Sequence, residues 1–287
     1  MRAVPSIAVI PALLIVPALA AAGVLTAPSI ASARGEILLS RPMAMGGAYT
    51  AAGAGNGAIY SNPAGIARYR VYSVEASYLR LDEDNTLHLS VVDTKTQPIG
   101  VGIGYALTPG DTDTHDGRLS LAYPAVPNRL FAGIGLHYVF GDAPDGEGNA
   151  QAFAIDTGAT IHLGAGVLVG GMIRNLSKDP AHADTASRGY SFGLGWEGPV
   201  TLAFDLDLDP SEEGPARFGY HSGMELPLGT EMQLRAGWNN DRSEPSHHYI
   251  SGGFGVISQS GAFEMAYRQR VDVDGDRLFG ISLKVFM

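Results

Sequence analysis

The chain has 287 residues, 38 of them glycine, no cysteine, and a formal net charge of −10 at pH 7. That balance excludes a nucleic-acid binder, which needs clustered Lys and Arg to neutralise phosphate. Without cysteine there is no disulfide framework and no thiolate metal site.

Met1 and Arg2 lead into an apolar run from Ile7 to Leu25, and Ala31-Ser32-Ala33 has the small-residue form of a signal-peptidase site. Pro11 and Pro17, with no basic flank behind the run, argue against a membrane anchor helix. The expected organisation is a signal peptide over residues 1–33 cleaved before Arg34, an N-terminal segment over 34–68, and one all-β domain over 69–287.

Residues 34–68 are rich in Ala, Gly and Met, and their apolar residues do not alternate. Met43, Met45, Ile59, Tyr60 and Ile66 make the segment too apolar for a loose tail. Irregular backbone cannot sit in lipid but is tolerated inside a barrel, so the segment is expected to plug a lumen. Pro63 should hold Asn62 extended, with the Asn62 side chain bonding local backbone. Gly65 should close the Asn62-Pro63-Ala64-Gly65 turn at positive φ. That turn is expected inside the barrel, with Met45 leading into a Gly46-Gly47 bend near the periplasmic mouth. A gate and a static plug both remain open.

From Tyr69 onward the chain breaks into fourteen alternating segments, near 71–80, 86–92, 98–107, 117–123, 130–140, 151–162, 167–175, 189–196, 200–208, 217–226, 231–239, 248–257, 262–270 and 277–287. Period-two alternation marks strands with one greasy face, and most of these match the 9–11 residues, roughly, of a tilted membrane strand. One phase is apolar, as in Ile99, Val101, Ile103, Tyr105 and Leu107, or Ala132, Ile134, Leu136, Tyr138 and Phe140, and is expected to be free of charge. The other carries the charges and most strand glycines, including Gly100, Gly102, Gly104, Gly133, Gly135, Gly193, Gly195, Gly253 and Gly255. A soluble sandwich would put the greasy phase inside. Here connections such as Gly141–Ala150 and Ser177–Ser187 are long, and those on the opposite edge, such as Leu163–Gly166 and Glu197–Pro199, are short. Long outside and short inside is the pattern of transmembrane antiparallel barrels. A fourteen-stranded barrel in the outer membrane, surrounded by lipid, is therefore expected.

The charged phase should then line the lumen, where Asp156, Arg174, Asp205, Asp207, Arg235, Glu264 and Arg268 are expected to form a polar network. Asp205 and Asp207 would meet inward arginines there. The inward glycines would clear space either for a ligand or for the plug. No Gly-x-Ser-x-Gly nucleophile stands out, and nothing sets a substrate between the two aspartates, so no catalytic residue is assigned. His247-His248 and His221 read as ordinary histidines rather than metal ligands. The runs Asp111, Asp113, Asp116 and Asp272, Asp274, Asp276 read as solvated outer loops, since neither has a calcium loop's closing Glu. No cofactor or metal is expected.

The stretch Arg41-Pro42-Met43-Ala44-Met45-Gly46-Gly47-Ala48-Tyr49, continued by Gly57-Ala58-Ile59-Tyr60-Ser61-Asn62-Pro63-Ala64-Gly65, resembles the opening of the PorV/PorQ family and of the related FadL-like long-chain fatty-acid transporters. Gly171-Met172-Ile173-Arg174-Asn175-Leu176 and Leu234-Arg235-Ala236-Gly237-Trp238-Asn239 also look like family strands. The resemblance implies a fourteen-stranded outer-membrane barrel with its N-terminal segment in the lumen. It implies passive passage of a small hydrophobic molecule or, on the PorV side, a scaffold partnering a secretion machine. The chain departs from the transporters in lacking their large apolar outer loops.

Overall fold

The computed structural model describes residues 39–81, 84–110, 113–142, 149–176, 188–210, 215–240, 246–272 and 277–287. The expected signal peptide and the first residues of the expected plug lie outside them. Fourteen strands follow one another: β1 Tyr72–Leu81, β2 Asp84–Asp93, β3 Gly100–Thr108, β4 Thr114–Val126, β5 Leu130–Asp142, β6 Asn149–Gly164 and β7 Val167–Arg174. Then come β8 Gly189–Glu197, β9 Thr201–Asp209, β10 Arg217–Leu228, β11 Met232–Asn240, β12 His248–Ile257, β13 Gly261–Arg270 and β14 Arg277–Phe286.

Every strand pairs antiparallel with its sequence neighbours, and β1 closes on β14 with Ser73 opposite Phe286 and Ala76 opposite Leu283. Closure leaves no edge strand, the condition for a sheet in lipid. Pro124, which cannot donate to a ladder, falls where the β4–β5 register shifts, between Tyr123 and Val126. The short connections 127–129, 165–166, 198–200, 229–231 and 258–260 share one end, the short-turn end that is periplasmic in transmembrane barrels.

Side chains sort by phase as alternation predicts. Ile103 is 54% exposed and Leu136 36%, while Glu75, Glu264 and Asp205 are nearly inaccessible. Aromatics sit near the rims. The Trp196 indole donates to Ala165 O at the periplasmic end (3.1 Å), and Tyr138 Oη donates to Gln151 Oε1 at the other (2.6 Å). The charge-free expectation fails at strand ends, Asp93 closing β2 on the outward phase among them. Arg80 and Arg277 stand exposed on the outward phase at the outer rim, where headgroups and water can solvate them. A second correction concerns Asp116, which belongs to β4 and faces the lumen, 8% exposed, rather than a solvated loop. Asp111, Asp274 and Asp276 lie outside the described residues.

The lumen is filled by residues 39–68. They form a short helix α1 (Ser40–Ala44), a glycine turn, a second short helix α2 (Ala58–Ser61) and a 3₁₀ segment, Pro63–Arg68. Leu39, Ile59, Tyr60 and Ile66 pack with the wall residues Val92 and Ala122. Met43 and Ala44 pack with Leu79, Ala266 and Leu278. The apolar core of this protein is therefore the contact between plug and wall.

Candidate functional site

The inward glycines trace the path of the plug. A Cβ at Gly102 would stand 2.8 Å from both Ile59 and Ile66, and one at Gly280 would stand 2.7 Å from Met43. At Gly133 it would run into the backbone of Pro63 and Ala64, and at Gly237 into Met45 and Gly46. Gly135 and Gly255 are exceptions, facing Ser120 with Asp156, and Arg235. Most of the inward glycine is thus spent on closeness to the plug, which leaves it no separate role in clearing a path for cargo.

Asn62 is the centre of the attachment. It is extended (φ −156°), and its Oδ1 accepts from Ala64 N at 3.1 Å, which starts the 3₁₀ turn behind Pro63. Its Nδ2 lies 2.8 Å from Thr50 O inside the plug, and 3.2 and 3.3 Å from Ala159 O and Thr160 Oγ1 of β6. One amide therefore ties two limbs of the plug together and to the wall. Gly65 departs from expectation: it is not at positive φ, and it is small because a Cβ there would strike the Gly53 backbone.

Gly46 and Gly47 do take left-handed φ, +63° and +79°. They lie against Ser222, Trp238 and His221, midway along β10 and β11 rather than at the periplasmic mouth. The mouth is held instead by Arg68. Its Nη1 donates to the carbonyls of Ala52 (2.7 Å) and Gly53 (3.0 Å), and its Nη2 pairs with Glu197 Oε1 at 2.6 Å.

The predicted lumen network resolves into separate groups. Asp205 Oδ2 accepts from the amides of Tyr49 and Thr50, both at 2.7 Å, so it holds plug backbone rather than an arginine. Asp207 meets Arg174 at 3.4 Å and His221 at 3.3 Å. Asp156 accepts from Asn175 N at 2.8 Å, and the Arg268 guanidinium lies 4.8 Å over the Tyr249 ring. Arg235 and Glu264 join a longer chain. Arg41 of the plug grips Glu225 with two 2.9 Å bonds, Glu225 binds Arg235 (2.6 Å), Arg235 binds Glu264 (2.9 Å), and Glu264 binds Lys284 (2.5 Å). Lys284 reaches Glu75 at 3.6 Å. Charges alternate along these six groups, so each buried ion has a counter-ion.

On the other side, Tyr60 of the plug shares a 2.5 Å hydrogen bond with His88 Nε2, and Arg118 lies 4.6 Å over its ring. Burial holds the Tyr60 phenol well above its usual range, so it stays neutral in that contact. Arg118 in turn binds Asp116, which also meets His137 at 3.0 Å.

Arg41 and Arg68 are the attachment residues that alternation does not single out, since they lie outside the alternating segments, while Glu225 and His221 sit on the inward phase of β10. A signal was present: Arg41 and Arg68 are the only charges between residues 39 and 68. Among the described residues no group of His, Asp and Glu is arranged to hold a metal ion.

No family model and no curated relative matches the chain. Solved structures do. The CymD monoaromatic hydrocarbon channel superposes with a TM-score of 0.62 at 14% identity, over 87% of this chain and 96% of that one. The Pseudomonas putida toluene transporter TodX gives 0.62 at 11% identity, over 85% and 95%. A Pseudomonas aeruginosa FadL homologue gives 0.60 at 11%, over 86% and 98%. The fold is that of these barrels. Identity this low speaks for architecture and is silent on cargo.

Proposed function

We propose that the protein is an outer-membrane channel for passive passage of small hydrophobic molecules, closed at rest by residues 39–68. The observation that carries this reading is the manner of closure. The plug is a separate segment held in a closed barrel by local polar contacts, at Asn62, Arg68, Arg41 and Asp205. Each can be exchanged without breaking a strand ladder. The reading draws its cargo class from the likeness to a barrel described as a monoaromatic hydrocarbon channel and one described as a toluene transporter. The secretion-scaffold alternative gains nothing from the three compared structures, none of which is described in that way.

The test is ion conductance in planar bilayers, wild type against Asn62→Ala combined with Pro63→Ala. Losing the Asn62 bonds and the fixed φ should loosen the plug while the barrel still assembles. Higher or noisier conductance is the expected result. A double variant as silent as wild type would mean a static stopper and would end the gate reading.

A further inference from the structure

His221 stands on β10 between the plug and the wall, and both of its ring nitrogens face acceptors. Nδ1 lies 2.9 Å from the carbonyl oxygen of Gly46, in the plug's left-handed turn. Nε2 lies 3.3 Å from Oδ2 of Asp207 on β9. A carbonyl cannot donate, and a carboxylate beside a guanidinium (Arg174 Nη1 is 3.4 Å from the same oxygen) accepts as well. The Gly46 contact is a hydrogen bond and the Asp207 contact an ion pair together only when both nitrogens carry a proton. A neutral ring must set one lone pair against an acceptor, whichever tautomer it adopts.

We propose that His221 is a proton-dependent bolt fastening the plug's glycine turn to the barrel wall. Charged, it bridges Gly46 to Asp207. Neutral, its one proton goes to the stronger acceptor, the Asp207 carboxylate, and the Gly46 carbonyl faces a lone pair, so the turn loses its tie to β10. The contact is close: a Cβ on Gly47 would stand 2.8 Å from Nδ1, so only glycine lets the turn lie against the ring. Among the described residues, the charged and titratable groups around it include Asp205 and Asp207 on β9, Arg174 of β7 behind Asp207, and Glu225 further along β10, engaged by Arg41 and Arg235. On β11 the residue opposite is Asn239, uncharged and buried. The sign follows from the protons. The bolted state holds one proton more than the released state can use, so the bolt is whole at low pH and opens as pH rises.

The test is hydrogen exchange of residues 45–50 in the full chain in detergent micelles, corrected for intrinsic rates, from about pH 5.5 to about pH 8.5, the range over which imidazole titrates. Wild-type protection should fall by a few-fold to about tenfold across it, the worth of one hydrogen bond. In His221→Gln protection should be low and flat. In Asp207→Asn it should be high and flat, because the Asn amide can donate to Nε2 while a neutral ring keeps its Nδ1 proton on Gly46. Unchanged protection in β12 and β13 reports an intact barrel in each variant. A flat wild-type profile, or a slope surviving in either variant, would hand the titration to another group such as Asp205 and overturn the proposal. Exchange reads the plug whether or not anything crosses the membrane, so failure here leaves the channel reading standing.

Discussion

At the scale of single residues, the plug is held by groups each of which satisfies several partners at once. Arg68 is the clearest. Buried among the carbonyls of Ala51, Ala52 and Gly53, it supplies the donors those peptide groups lack inside the barrel, and it spends another on Glu197. Lys cannot replace this fork, since one ammonium cannot reach both the carbonyl arc and the carboxylate. We expect Arg68→Lys and Arg68→Ala alike to raise basal conductance, with the barrel still migrating as a folded species on unheated gels. A silent Arg68→Ala channel would mean that Asn62 and Asp205 close the periplasmic end without it. Gly133 gives the complementary test from the wall side. A Val there would meet the Pro63–Ala64 backbone and should displace the turn, with exchange rising at residues 60–66 and little change elsewhere.

At the scale of elements, each strand is a boundary between two solvents. Ile103, outward and 54% exposed, faces lipid between inward Gly102 and Gly104, which face Ile59 with Ile66, and Tyr60. Ile103→Arg should cost about 2–4 kcal/mol of barrel stability, as a charge near the midplane does. Gly102→Arg should act differently, driving the side chain into the plug and raising conductance more than it lowers the unfolding midpoint. Urea unfolding alongside conductance separates the two, and equal effects of both variants would mean that the inside–outside assignment is wrong. The strands were legible in sequence because lipid on one side and a polar lumen on the other enforce period two. Arg80 and Arg277 escaped that rule because rim positions are already wet. The plug was legible as a segment, through its composition and lost alternation. Its anchors were not, because Arg41 meets Glu225 across 184 residues of sequence and Tyr49 meets Asp205 across 156. Nothing local in the chain encodes which inward charge faces which plug group, so one expected network became several.

At the scale of the whole molecule, the question is whether the wall stands without its contents. Its hydrogen-bonded ladders close from β1 round to β14 without using any plug residue, so backbone satisfaction in the membrane does not depend on residues 39–68. The side chains do depend on them. Without the plug, Asp205 loses the two amides that hold its carboxylate, and Glu225 loses Arg41 but keeps Arg235. The apolar cluster of Ile59, Tyr60 and Ile66 against Val92 and Ala122 disappears as well. Water entering the emptied lumen can solvate the freed carboxylates, which makes their exposure far less costly than in a dry core. We therefore expect a chain lacking residues 39–68 to insert and close, to unfold at lower denaturant than wild type, and to conduct as a steady open pore. The gain in conductance should exceed that of Asn62→Ala with Pro63→Ala, which leaves the plug in place but loosened. Heat-dependent gel migration reports closure and single-channel recording reports the pore. If the shortened chain instead fails to close, the plug is a template on which the barrel forms, and its bonds to Asp205 and Glu225 serve assembly before they serve closure.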